Sequence, residues 1–442
     1  MSGLALWLHS RGVKVTGSDM AHSSRSDRVE RAGIPVFYGH DPRHVNGVDM
    51  VVYNTDVHAE NPERHAALLQ GIPLVHRSEV LAQALDAYRA ITVSGTHGKT
   101  TTTTMVGTVL AHCGMDPTVF VGGEVGQFQG NLRVGHGPWA VAEADESDGS
   151  FLRYSPEIAV ATNVEPEHLE HYENRFDRLV EGFRQYLSKV PPHGLAVLGV
   201  GNSTLAQLGQ EMSAPTKTYG LVEGADVQAR DIILGRQGSV FSVYEHDVLL
   251  GRAQLKIPGH HNIENGLAAL IVAQHLGAPI GVAIEALSDF QNANRRFQYH
   301  LSGEIQVVDD YAHHPTEIRA TLAACRQVTA GRVLAVFQPQ RYTRTRDLWT
   351  GFVEAFHQAD MVYLTDVYAP PGDVPLPGIS GATLAQAIAQ NMGSDRVSYM
   401  DDKLDAVTQI VNIARPGDTI ITMGAGDIFR VAEEIAQTLG LS

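Results

Sequence analysis

The 442-residue chain holds only two cysteines, Cys113 and Cys325, far apart in the sequence. Two such residues build neither a disulfide framework nor a cysteine zinc spacing, and they fit a reducing compartment. Basic residues are also scarce. Lys+Arg total 33 against 49 Asp+Glu, a formal net charge of −16. That balance argues against binding to nucleic acid or to an anionic membrane, which needs a basic stripe. No run approaches the roughly 18 apolar residues that a membrane-spanning helix requires. The opening MSGLALWLHSRG is briefly apolar, but it has neither the basic n-region nor the small-residue cleavage site of a signal peptide. Internal repeats and low-complexity segments are missing as well. The expectation is a cytoplasmic protein.

What is present has the balance of a soluble globular chain: 43% hydrophobic and 19% charged residues. The length exceeds one ordinary core and predicts two to four domains. Residues 1–12 read as a helix. VKVTGSD (13–19), DMVVYNT (49–55) and IPLVHR (72–77) read as short buried strands with helical stretches between them. This βαβ rhythm predicts a Rossmann-like unit over 1–88, which begins on a helix rather than on a strand and glycine-rich turn. The pattern restarts at 89. AITVSG is a strand, GTHGKTT a loop and TTTMVGTVLAHCG a helix. WAVAEADES (139–147) and EIAVATNVEPEHLEHY (157–172) are strands running into polar loops. The stretch up to about 256 is richer in β patterning, and PGHHNIENGLAALIVAQHLG (258–277) opens a helix. A boundary near 298 separates this 89–297 domain from a third, 298–442, with four strand-to-loop transitions. The fold class is α/β.

Gly95-Thr96-His97-Gly98-Lys99-Thr100-Thr101 carries the clearest chemistry. A phosphate loop points backbone N–H groups at phosphate oxygens, and the following helix adds its dipole. Gly95 and Gly98 supply the turn, Lys99 the cation and Thr100 a metal-binding hydroxyl. The spacing is G-x-x-G-K-T; Val93 stands where the longer motif has its first glycine. Four acids follow a strand: Glu143, Asp145, Glu146 and Asp148. A carboxylate there can hold Mg²⁺ opposite the loop. His168, in NVEPEH, is either a metal ligand or a structural loop histidine. Asn262 and Asn265 either cap the helix they open or read a nucleobase edge with their amides. In the third domain, Asp309 to Pro315 and Arg341 to Thr345 lie just after strands, where open α/β sheets bind ligands. Arginine and tyrosine there suit a carboxylate-bearing anion.

These residues together resemble the Mur ligase family. MSGLA (1–5), GSD (17–19), GTHGKTT (95–101), EADESDGSF (143–151) and NVEPEHLEHY (163–172) carry the match. So do PGHHNIEN (258–265), NRRFQ (294–298), DDYAHHPTEI (309–318), FQPQRYTRT (337–345) and MGAGDI (423–428). They fall in order over essentially the whole chain. The resemblance implies a three-domain Mur ligase architecture: a Rossmann-like N-terminal domain for a UDP-sugar, a P-loop central domain, and a Rossmann-like C-terminal domain closing on ATP and an amino acid. It is closest to the branch that joins L-alanine to UDP-N-acetylmuramate in peptidoglycan synthesis, with ATP and Mg²⁺ (or Mn²⁺). Cell-wall biogenesis, cell shape and division follow as its setting, with a monomer or homodimer as the working assembly.

By family position the implied catalytic residues are Lys99, Glu143, His168 and Arg344, with Thr100, Glu143 and His168 on the metal. Gly95, Thr96, His97, Gly98, Lys99, Thr100 and Thr101 would cradle the phosphates, Arg296 would reach them, and Asn262 and Asn265 would contact adenine. Ser18, Asp19, His168, Asp310, His314, Tyr342 and Arg344 would face the substrates. The departures are local. Met1 stands where the family's first glycine-rich turn ends, so the first domain is expected to lack its first strand and that loop. Gln340 replaces a histidine, and Tyr53-Asn54-Thr55-Asp56 replaces an SSAI-like segment. The competing readings are the related ligase that attaches a preformed tripeptide, a ligase that binds ATP but not the sugar, and a nucleotide-driven switch.

Overall fold

In a computed structural model, residues 1–167, 169–235, 238–370 and 373–440 are described. His168 therefore lies outside the described residues. The chain forms two units: 1–230 with 242–253 and 264–291, and 231–241 with 254–263 and 292–442.

The first segment contributes four strands of three residues each: β1 Gly17–Asp19, β2 Val36–Tyr38, β3 Val51–Tyr53 and β4 Leu74–His76. They form two separate parallel pairs, β1 with β2 and β3 with β4. The expected strand over 13–19 is thus shorter than its apolar pattern. Among the described residues only Val36–Tyr38 lies in register beside it, and Val13 is exposed. The expected helix is present as Ser2–Ser10. Its Leu4 and Trp7 are buried in the same core as Phe120, Leu132 and Phe151 of the next segment. Trp7 Nε1 donates to the Tyr88 hydroxyl at 3.1 Å, as a buried indole N–H requires. Arg28 donates to the Leu132 carbonyl at 3.1 Å.

The large sheet runs from β5 Arg89–Ser94 through β6 Thr118–Val125, β7 Gly130–Arg133, β8 Trp139–Glu143, β9 Ile158–Ala161 and β10 Leu195–Gly199. It continues in β11 Thr216–Gly220, β12 Val227–Gly235, β13 Gly238–Glu245 and β14 Val248–Leu255. Its order is β14-β13-β12-β11-β10-β9-β5-β8-β6-β7. β5 is parallel to both neighbours, β8 and β9, and its interior residues are fully buried, as a strand covered on both faces must be. Strand order reverses at β5, so the crevice beyond its carboxyl end is where such a sheet binds ligands.

The second unit carries β15 Gln298–Leu301, β16 Gln306–Asp310, β17 Val333–Phe337, β18 Met361–Leu364, β19 Val397–Tyr399 and β20 Thr419–Met423. The order is β15-β16-β20-β17-β18-β19, parallel except for β15. Successive side chains point to opposite faces and enter two different cores. Val308, Ala335 and Ile421 join Phe352 and Phe356 on one side. Val307, Leu334 and Ile420 join Ile410 and Ile435 on the other. Among the described residues no helix is long and apolar enough to cross a membrane.

Candidate active site

The helix Lys99–His112 begins directly after the loop that leaves β5, with Gly98 in the left-handed region at φ +83° as its N-cap. Gly95 is also required. Its φ is +139°, and a Cβ there would stand 2.0 Å from Thr162 Oγ1. The segment after β9 clamps the loop. Thr96 N donates to the Asn163 carbonyl at 3.0 Å. His97 N donates to Asn163 Oδ1 at 2.8 Å, and Asn163 Nδ2 returns a bond to the His97 carbonyl at 3.1 Å. Thr162 Oγ1 donates to the same carbonyl at 2.6 Å. Asn163 opens the NVEPEHLEHY motif, but the motif does not single it out as a residue that holds the loop. Its only signal is its place at the carboxyl end of the strand beside β5.

Lys99 folds back over this loop. Its Nζ donates to the carbonyls of Gly95 (2.6 Å) and Thr96 (3.2 Å) and to both Glu146 oxygens (3.0 and 2.9 Å). Burial alone would lower the ammonium, but the charges of Glu146 and Asp145 outweigh it and hold Lys99 above its ordinary value. Thr100 Oγ1 donates to Glu143 Oε2 at 3.1 Å, and Gly122 N donates to Glu143 Oε1 at 2.6 Å. Burial raises the Glu143 carboxyl, offset in part by the Gly122 N–H and Lys99. The expected pair of hydroxyl and carboxylate is therefore brought together beside the lysine. Thr101 follows in the first turn of the helix, buried. Asn265 borders the loop as well, since a Cβ on Gly98 would lie 3.0 Å from its Oδ1.

The donor set fits a nucleoside triphosphate and a hard divalent cation. The loop is open only to glycine at its two turns, and the helix N-terminus has no side-chain cap. Thr100 and Glu143 supply oxygen ligands of the kind Mg²⁺ prefers.

Two further expected residues stand in the first segment. Ser18, in β1, gives its hydroxyl to Glu63 Oε2 at 2.6 Å, while Asp19 is exposed. The Tyr53-Asn54-Thr55-Asp56 segment has a partner that sequence reading missed: Thr55 Oγ1 donates to Asp148 Oδ2 at 3.1 Å.

The remaining candidates belong to the second unit. Asn262 Nδ2 donates to the Pro258 carbonyl at 2.7 Å. Asp310, buried, accepts from Phe297 N (2.7 Å), Ala312 N (2.8 Å) and the Thr321 hydroxyl (3.3 Å). Burial lifts its carboxyl to about 6, against the pull of Arg296 and the two N–H groups. His314 caps the helix Pro315–Val328, its Nδ1 accepting from Thr316 N at 3.3 Å. The adjacent arginines divide. Arg295, at φ +63°, turns inward to Asp309 (2.9 Å) and the carbonyls of Gly424 and Gly426. Arg296 lies 3.6 Å from Glu317. After β17, Arg341 takes a φ of +65°, Tyr342 N donates to Asp373, and Arg344 donates to Gln340 Oε1 at 2.7 Å. Gln340 thus keeps a polar contact to Arg344 where a histidine is expected.

Three models of one family match successive segments of the chain. The Mur ligase family catalytic-domain model matches residues 1–89, the Mur ligase middle-domain model 93–273, and the Mur ligase glutamate-ligase-domain model 295–426. A UDP-N-acetylmuramate–L-alanine ligase of Symbiobacterium thermophilum is 48% identical over 99% of this chain and 92% of its own length. That of Geotalea uraniireducens is 42% identical over 99% and 95%. The solved UDP-N-acetylmuramate-alanine ligase of Thermotoga maritima is 28% identical with a TM-score of 0.84, covering 100% of this chain and 96% of that one. A murein peptide ligase from Psychrobacter arcticus is 25% identical with a TM-score of 0.72, covering 100% and 96%. The chain belongs to the Mur ligase family and has its three-domain architecture.

Proposed function

We propose that the protein is an ATP-dependent ligase that joins L-alanine to the carboxylate of UDP-N-acetylmuramate in the cytoplasm, during peptidoglycan precursor synthesis. The observation that carries this reading is Lys99 and the Thr100–Glu143 pair set at the carboxyl end of β5, in a chain 48% identical to a ligase of that name. The domains are taken as 1–88 for the UDP-sugar, 89–297 for ATP and 298–442 for closure on ATP and the amino acid.

A muramate carboxylate oxygen attacks the γ-phosphorus of ATP, and ADP leaves. The alanine nitrogen then adds to the acyl carbon of the resulting acyl phosphate, loses a proton and expels phosphate, leaving an amide. Two anions must meet in the first step, so its barrier is electrostatic. Lys99 offsets charge on the transferring group, and the N–H groups at the start of the helix Lys99–His112 orient the phosphates. Thr100 and Glu143 would hold Mg²⁺, with His168 assigned to it by sequence position; the ion, when bound, neutralises phosphate oxygens. Asn262 and Asn265 are proposed for adenine, and Arg296 for the phosphates. Asp310 and His314 shape the loop before the helix Pro315–Val328, and Tyr342 and Arg344 offer the substrates a hydroxyl and a cation. Ser18 and Asp19 are proposed for the UDP-sugar.

The test is phosphate release from ATP, which should require both UDP-N-acetylmuramate and L-alanine. Equal release without the amino acid sinks the ligase reading, and release driven instead by the tripeptide L-Ala-γ-D-Glu-meso-diaminopimelate redirects it to the recycling ligase.

A further inference from the structure

We infer that Glu146 is a positioning residue that acts through Lys99, holding the loop lysine in register while competing with the phosphates for it. This rests on the ATP reading of the loop.

An ammonium has three protons. In Lys99 they are directed to the Gly95 carbonyl, the Thr96 carbonyl and the Glu146 carboxylate. A phosphate oxygen that approaches Nζ must displace one of these acceptors. The two carbonyls belong to the loop that binds phosphate, four and three residues before the lysine. Among the described residues, the carboxylate alone comes from another element, the turn after β8.

Glu146 is 1% exposed, and its backbone is pinned. Its carbonyl accepts from the Tyr172 hydroxyl and from Gly149 N at 3.0 Å. The Asp145 carbonyl accepts from Phe151 N at 3.0 Å and Ser150 Oγ at 3.2 Å. The Glu146 carboxylate is therefore fixed in place against the Lys99 ammonium. A carboxylate so placed does two opposing things. It directs Lys99 along one line. It also competes with the nucleotide's phosphates for the lysine, in a medium where charges are poorly screened. Glu143 is differently placed, because it meets the Thr100 hydroxyl and the Gly122 N–H rather than the lysine's ammonium.

A plain structural salt bridge and a positioning carboxylate respond differently when the charge is removed and the shape kept. ADP with Mg²⁺ is titrated calorimetrically into the full-length protein and into Glu146→Gln, and phosphate release is measured with UDP-N-acetylmuramate and L-alanine saturating. Positioning predicts opposite shifts: ADP binds about threefold to tenfold more tightly in E146Q, while kcat falls about tenfold or more. Unchanged or weaker ADP binding overturns the proposal, and so does an unchanged kcat. E146Q leaves the Lys99 charge buried without its counter-ion, which threatens folding. The neutral pair Lys99→Met with Glu146→Gln avoids that. It should match Lys99→Met alone in ADP affinity and residual turnover, because Glu146 has no lysine left to act through. A further loss in the double variant overturns the proposal even if E146Q does not fold. Unaltered protein that binds no ADP fails the ATP reading itself, a result distinct from normal ADP binding that E146Q leaves untouched.

Discussion

Glu143 and Asp310 end interior strands, β8 in one unit and β16 in the other. Burial lifts both carboxyls above their ordinary range. Their partners set them apart. Glu143 keeps partial exposure and meets one hydroxyl and one backbone N–H. Asp310 is buried and spends its oxygens on two backbone N–H groups and Thr321. The first carboxylate has lone pairs to offer a cation; the second holds a loop in shape. An acid at the end of a strand is thus a candidate ligand only where the backbone has not already consumed it.

Substitutions on the two sides should break differently if that contrast is right. Lys99→Ala has the largest expected effect. It removes the cation beside the Glu143 carboxylate, and kcat/KM should fall about a thousandfold, with a lower melting temperature as well because Glu146 is left buried without its counter-ion. Full activity would remove the lysine from the chemistry. Glu143→Gln should come next, with turnover down about a hundredfold and a higher Mg²⁺ requirement; an unaltered Mg²⁺ titration would count against metal binding there.

Asp310 should register in stability instead. Its carboxyl titrates near 4 when unfolded and at about 6 when folded, so folding favours its protonated form. The stability this confers is present below about pH 4, declines as pH rises through about 6 and is absent above. Asp310→Asn does not titrate. Between about pH 4 and pH 7 the native protein should therefore lose roughly 2 kcal/mol relative to this variant. Urea unfolding of both across that range checks the sign, and a constant difference would show that Asp310 is not held protonated. Ser18→Ala should have the smallest effect. It removes one hydrogen bond to Glu63, worth about 1 kcal/mol, and should raise KM for UDP-N-acetylmuramate about fivefold without changing KM for ATP. A change in KM for ATP of the same size would mean that the β1 end is not separate from the phosphate loop.

The strand, loop and helix over 89–112 are legible in the sequence because each level agrees: an apolar run, two glycines at positive φ, then a helix opening on a lysine and threonines. The β6–β7 hairpin is not. Its Gly122, Gly123 and Gly130 break the apolar alternation that marks a strand, yet Gly122 supplies the N–H that holds Glu143. β19, three residues long, is equally silent. The apolar pattern of 13–19 overstates β1, since a strand extends only as far as its neighbour does.

The loop's glycines, its lysine and the order of the motifs are properties of sequence, because they depend on what each residue type permits over a few positions. That level of description identifies a nucleotide-binding ligase family. Which of four neighbouring acids meets Lys99, which meets Thr100, and which of two arginines turns inward are decisions of tertiary structure. Lys99 and Glu146 are 47 positions apart, and Arg295 and Gly424 are 129 apart. Over such distances contacts are set by strand order and by the path of each turn, and side-chain direction reverses with a single residue.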